Sequence, residues 1–345
     1  MLDRDAAIWA IRMFLGREPQ SEDEIEVHRV HLHVESLRYA FADSPEFQTF
    51  LRSTARGGAY RAPLFLLEPP PGRDFPTRFE LPTLARPTSQ LCTHGQFQEP
   101  EYAEWCDALH TPAVEHRKYW EFAYILQVMR SAGVMRPGCR ALGFGVGTEP
   151  LPAFLASRGV EVVATDAPIE AITGVGWDTT GQHAATLAQL FMPELVEKAI
   201  FDSLVSFRPV DMNAIDPDLR GFDVCWSACC FEHLGSIKHG LDFFVASMDT
   251  LKPGGIAVHT TEFNLSSNTE TLETGSISIF RKRDIEALVS RLVAAGHEVW
   301  PLNLHPGASG ADERVDVPPF GLPHIKLELA GYACTSVGII ARKRG

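Results

Sequence analysis

The stretch ALGFGVGTEPLPAFLASRGVEVVATD, residues 141–166, decides the fold. It opens on an apolar run, turns through glycines at 143, 145 and 147, and continues as an apolar helical segment closed by Gly159. A second apolar, β-branched run then ends on Asp166. Two strands joined through a helix lie parallel. In an open sheet of that kind a ligand sits beyond the carboxyl ends of the strands, so the glycine turn and Asp166 should face one crevice. Glycines permit close backbone approach, and a carboxylate at that place can accept from ribose hydroxyls. The dinucleotide pattern G-x-G-x-x-G fails in both registers: Thr148 stands where Gly143 needs its partner, and Pro150 where Gly145 does. Glu149 would also oppose a pyrophosphate at the helix N-terminus, so a ligand with positive charge at that end is the better match. The same glutamate suits the first turn of any helix, with Pro150 near its start.

Working outward, apolar and polar periods keep alternating. They predict strands over 140–144, 160–165, 203–207, 222–228, 256–262, 297–304 and 332–342, with helices over 149–158, near 182–199, over 236–251 and over 281–295. Tyr119, Phe122, Ala123, Leu126 and Met129 recur at helical spacing before Gly133 and Pro137, which predicts a further helix leading into this domain. Such alternation means an α/β fold with a mostly parallel sheet covered on both faces. Upstream, Ile8, Ile11, Phe14, Leu37, Phe41 and Leu51 punctuate polar runs, which predicts a small helical module over 1–55. Residues 56–110 include a proline-dense segment and read as a connector, leaving 111–345 as the main domain.

Several segments carry a family likeness in the order that family shows them. GFGVGTE, then VVATD, then FRPVDMNAI, then FDVCWSACCFEHLG and LKPGGIAVHTTEF together resemble the class I S-adenosylmethionine-dependent methyltransferases, over about residues 115–345. The resemblance implies a doubly wound, mostly parallel seven-stranded Rossmann-like sheet with a reversed final strand. It implies S-adenosylmethionine as cofactor, whose adenosine suits Asp166 and whose sulfonium and ammonium suit Glu149. By the same likeness Gly143, Phe144, Gly145 and Gly147 would surround the methyl donor, Asp166 and Ala167 its ribose, Asp211 and Met212 its adenine, with Ser227 at the end of the fourth strand. The chain departs from the family in having Gly143 where an acid is usual and Glu149 where a third glycine is usual. The N-terminal segment more loosely resembles helical modules found beside glycan-modifying enzymes.

Methyl transfer asks the protein for alignment and, with a hydroxyl acceptor, for removal of a proton. His233, just past the fourth strand, is the candidate base; it could equally pack the following helix with Glu232. Trp177 as a lid, with Gln182 and His183, would meet the acceptor, although Thr179 or Thr180 capping a helix explains that stretch too. The long segment VDVPPFGLPHIKLEL would form part of the acceptor wall, with His324 and Lys326 as its polar groups. His259, Glu262, His305, Asp312 and His324 lack the paired spacing of a metal site, so no metal is expected. Cys229 and Cys230 read as small packing residues.

The 345 residues carry 31 Lys plus Arg against 44 Asp plus Glu, a net charge of −13. That balance argues against nucleic acid or an anionic membrane as partner and favours a small-molecule acceptor. Seven cysteines without a C-x-x-C pair suit a reducing cytoplasm, and AIWAIRMFLG, broken by Arg12, reads neither as an export signal nor as a membrane span. The expected function is therefore transfer of a methyl group to an oxygen or nitrogen of a small molecule such as a sugar, glycan or natural product. A NAD(P)-dependent oxidoreductase and a non-catalytic binding protein with a retained pocket are the alternatives.

Overall fold

A computed structural model describes residues 2–42, 44–47, 67–69, 72–168 and 183–345. The sheet is built from β1 (Thr77–Arg78), β2 (Ser89–Leu91), β3 (Arg140–Gly143), β4 (Glu161–Asp166), β5 (Val205–Pro209), β6 (Phe222–Ala228), β7 (Leu251–Asn264), β8 (Glu298–Val299), β9 (Leu302–Asn303), β10 (Leu327–Leu329) and β11 (Tyr332–Arg342). Its order is β1-β9-β2-β11-β7-β6-β3-β4-β5, with β8 and β10 also paired to β11. The run β5-β4-β3-β6-β7 is parallel throughout, and β11 lies antiparallel against β7 from Cys334 opposite Asn264 to Arg342 opposite Ile256. Winding starts at β3, proceeds through β4 to β5, then resumes on the other side at β6, so the order reverses between β3 and β6. A crevice opens at that switch point.

The central strands β6, β7 and β11 are buried along most of their length because both faces of the sheet are covered. Successive residues enter different cores: Val224, Trp226, Ile256, Val258 and Ile340 pack on one face, while Cys225, Ala257, Ile339 and Ala341 pack on the other. Helices Leu151–Ser157 and Arg117–Ser131 contribute to the first layer, Ile237–Thr250 and Lys282–Ala294 to the second. Ser236 starts its helix by accepting from His239 N–H, and the side chain of His116 does the same for Lys118 N–H.

Two expected segments come out differently. Residues 84–109, inside the expected connector, belong to the main core: β2 pairs with β11, and helices His94–Phe97 and Pro100–Ala108 cover the Arg117–Ser131 helix. Buried cross-links fix them, with Trp120 Nε1 donating to Gln96 Oε1 at 2.8 Å, Trp105 Nε1 to Gln127 Oε1 at 2.9 Å and the Tyr124 hydroxyl to the Thr88 carbonyl at 2.7 Å. The helix expected near 182–199 is, from residue 183 onward, a 3₁₀ turn at Leu187–Leu190, and an α-helix begins only at Lys198. Pro193 accounts for the break, since it lacks the N–H a continuous helix needs.

At the N-terminus, helices Arg4–Leu15, Glu22–Arg29 and Val34–Ala42 enclose a small core of their own around Ala7, Ile11, Ile25, Leu37 and Phe41. Among the described residues no helix is long and apolar enough to cross a membrane.

Candidate functional site

The loops that follow β3, β4, β5 and β6 surround a cavity of about 490 Å³ at the switch point. Gly145 and Gly147 hold φ of 57° and 51°, the left-handed region that costs glycine nothing. At Gly145 a Cβ would also come within 2.7 Å of the Cys230 sulfur, so the loop needs glycine twice over.

Gly143 and Glu149, the two departures from the family's first motif, form one arrangement. A Cβ at residue 143 would lie 2.5 Å from the Trp226 ring, so the indole fills the space an acidic side chain would take there. That same indole donates from Nε1 to Glu149 Oε1 at 2.6 Å, holding the acid at the start of the next helix instead. Glu149 is 7 % exposed. Burial pushes its carboxyl up to about 8, against the pull of Lys118 and the indole N–H.

Asp166, at the end of β4, accepts from three backbone N–H groups: Ala167 at 2.8 Å on Oδ1, and Ala184 at 3.0 Å and Gly147 at 3.1 Å on Oδ2. It thereby ties the glycine loop and the segment after residue 183 to the sheet. Burial raises its carboxyl despite these donors. His183 donates from Nε2 to the Ala167 carbonyl at 2.8 Å beside it. Across the cavity, Asp211 and Met212 follow β5.

The remaining wall comes from the Arg117–Ser131 helix. Lys118 reaches the carbonyl of Ala228 at 2.8 Å and Glu121 at 3.2 Å, while 40 % of its side chain stays open to the cavity. Burial opposes its charge, but the neighbouring Glu121 carboxylate outweighs that and holds it protonated. Tyr119 and Phe122, one turn of the same helix, supply an apolar surface. His233 closes the other side; its Nδ1 is 2.7 Å from the Ser276 carbonyl oxygen, which can only accept, so Nδ1 carries the proton and Nε2 is the basic nitrogen.

Thus the cavity brings together Gly145, Gly147, Glu149, Asp166, Ala167, His183, Asp211, Met212 and His233. Five expected residues stand elsewhere, the first being Gly143, which is covered by the Trp226 ring and does not line the cavity. Phe144 is fully buried edge-on against Phe243, Ser227 is bonded to His259 Nδ1 at 2.8 Å, and neither side chain lines the cavity. Both follow from strand alternation, which turns them to the opposite face. Lys326 is buried with its ammonium donating to the carbonyls of Pro306 and Asp312, and His324 stacks on His116 while its Nδ1 pairs with Asp316. These two knit the long segment before β11 to its neighbours and do not face the acceptor space. Trp177 and Gln182 lie outside the described residues. Lys118, Tyr119 and Phe122 were not singled out as site residues, because helical spacing predicts the helix that carries them without showing that its first turns face the cavity.

No family model matches the chain, and no curated protein does. Among solved structures, it is similar to an S-adenosylmethionine-dependent methyltransferase from Mesorhizobium loti, with 13 % identity over 63 % of this chain and 96 % of that one, at a TM-score of 0.39. It is similar to the 1,6-didemethyltoxoflavin-N1-methyltransferase of Burkholderia thailandensis with bound S-adenosylhomocysteine, at 15 % identity, 72 % and 79 % coverage and a TM-score of 0.34. It is also similar to the [4+2]-cyclase SpnF, at 16 % identity, 77 % and 99 % coverage and a TM-score of 0.41. Likenesses this remote say nothing of substrate, and the strand order carries the fold. That order is a doubly wound, mostly parallel Rossmann-like sheet in which β11 is reversed. Such a sheet places the glycine loop after its first strand and the acid ending its second on one crevice, as β3 and β4 do here.

Proposed function

We propose that this chain is an S-adenosylmethionine-dependent methyltransferase acting on an oxygen or nitrogen of a small molecule, a sugar, glycan or natural product being the class in view. The observation that carries the reading is the pairing of Trp226 with Glu149 at the switch point, because it puts a carboxylate where a dinucleotide would need to place phosphates. The donor set suits the methyl donor: Glu149 faces its ammonium and sulfonium, Lys118 its carboxylate, Asp166 and Ala167 its ribose, Asp211 and Met212 its adenine. When bound, that molecule supplies an activated methyl group. The chain's own part is to align the acceptor between Tyr119, Phe122 and His183 and to take its proton at His233 Nε2. All seven cysteines are free, and with the acidic surface this favours a cytoplasmic enzyme that binds neither nucleic acid nor membrane. In this reading residues 1–55 remain a separate helical module, and the catalytic domain takes in the core-forming part of the preceding segment.

S-adenosylhomocysteine is expected to raise the melting temperature and NAD to leave it unchanged, since only a ligand of the native state stabilises it. Stabilisation by NAD alone would overturn the proposal in favour of an oxidoreductase.

Binding of the donor should also depend on pH. A carboxyl raised to about 8 is mostly protonated below that pH, so a cationic ligand must displace its proton. Affinity therefore rises with pH, by roughly 10-fold per unit at most between pH 6 and 8. Calorimetry with S-adenosylhomocysteine at pH 6, 7 and 8 measures it, and Glu149→Gln should flatten the profile. The same slope in both proteins would remove Glu149 from the donor site.

A further inference from the structure

Behind the cavity wall, helix Arg117–Ser131, the exit of β6, β7 and β11 bring together Arg117, Glu121, Cys229, Glu232, Glu262 and Ser336. The Cys229 sulfur and one carboxylate oxygen each from Glu232 and Glu262 lie within 4.8 Å of one another. We propose that these three residues form a binding site for a divalent transition-metal ion of the zinc type, with its open position toward the cavity.

An independent observation points to a ligand there. Glu262 is 3 % exposed; its Oε1 pairs with Arg117, yet its Oε2 has no hydrogen-bond partner. A buried carboxylate oxygen left unmade is costly, so native structures almost always give it a donor, water or ion. The charge count agrees. Among the described residues, Glu121, Glu232 and Glu262 face two cationic side chains, Arg117 and Lys118. A divalent ion with a Cys229 thiolate makes four negative charges against four positive. On binding, the sulfur–hydrogen bond is replaced by a sulfur–metal bond and the proton leaves to solvent.

The ligand set selects the ion. One thiolate with two carboxylates suits zinc, cobalt or ferrous iron and not magnesium or calcium, which prefer oxygen alone. Three protein ligands leave a fourth position, and Cys229 lines the cavity, so that position opens on it. Supporting bonds are in place: the Thr261 hydroxyl donates to Glu232 at 3.0 Å, and Arg117 holds the far oxygen of Glu262. Cys229 itself is kept at φ 50°, with its N–H donating to the Thr260 carbonyl and hydroxyl at 3.1 Å and 3.0 Å. That conformation is strained for a residue with a Cβ and aims the sulfur inward, where it meets Glu121 at 2.9 Å.

The test uses the intact chain, stripped with a chelator and dialysed, without methyl donor or acceptor, so its outcome is independent of the proposed activity. Zinc titrated by calorimetry is expected to bind at one ion per chain, and cobalt to give a thiolate-to-cobalt charge-transfer band. Cys229→Ser should abolish the band, and Glu262→Gln should weaken zinc binding by roughly 10- to 100-fold. Circular dichroism checks that the variants fold; if Cys229→Ser does not, the band in the parent and the loss in Glu262→Gln still decide. No stoichiometric uptake by the parent, or unchanged affinity and band in the folded variants, would overturn the site.

Discussion

Replacing His233 with alanine is expected to lower the single-turnover rate of methyl transfer to a hydroxyl acceptor by roughly 10²- to 10⁴-fold, the usual range for loss of a positioned general base. The Ser276 carbonyl fixes the proton on Nδ1, which leaves Nε2, 4.0 Å from Glu232 Oε1, as the basic nitrogen of a histidine that lines the cavity. The affinity for S-adenosylhomocysteine should barely change, because the residues proposed to hold the donor stand on the β3, β4 and β5 loops and on the Arg117–Ser131 helix. A histidine that only packs the turn after β6 would behave differently, lowering the melting temperature and the occupancy of both ligands together. The acceptor for this measurement comes from a screen that follows formation of S-adenosylhomocysteine. A rate unchanged in a folded, donor-saturated variant would reject the role and point to transfer by alignment alone.

What the sequence disclosed and what it hid divide along a physical line. The β3–helix–β4 unit was legible because its signals are local: an apolar run, glycines at a turn, Gly159 as a stop and an acid at the strand end. The reversed β11 was legible too, as an apolar run after a short preceding strand. Partnership was not legible. Periodicity reports that a side chain is buried but not what it meets, so nothing local revealed that Gln90 and Gln96 would stitch β2 to Trp120, or that Trp226 would replace an acid at Gly143 and recruit Glu149. Polar residues misled in the other direction. Lys326 and His324 look like ligand contacts in a long loop, yet each satisfies the backbone or a carboxylate of that loop. Cys229, Glu232 and Glu262 were weighed separately and not as a group, because the turn after β6 and strand β7 supply them from distant parts of the sequence, with only the short C-x-x-E spacing as a trace.

Asp166 carries the second large effect, and the structure changes what should be expected of it. As a ribose ligand alone it could be removed without harm to folding. Its carboxylate instead accepts three backbone N–H groups, from Gly147, Ala167 and Ala184. A carboxylate offers about four acceptor directions, so one is left for a ribose hydroxyl and it lies on Oδ1. Hydrogen bonds to a charged group contribute about 1.5–3 kcal/mol each, and three in one loop do not add fully because the loop relaxes and admits water. Asp166→Ala should therefore cost roughly 3–5 kcal/mol of stability in denaturant unfolding and weaken S-adenosylhomocysteine by 100-fold or more, as the ribose contact and the loop geometry go together. Asp166→Asn keeps one acceptor oxygen, and if that oxygen faces Gly147 and Ala184 the loop should stay closed, with a stability loss of about 1–2 kcal/mol. The pair of variants separates the two roles. An alanine variant as stable as the parent would show that the three N–H bonds do not hold the loop, and an asparagine variant with full affinity for S-adenosylhomocysteine would show that the remaining acceptor direction never meets the ribose.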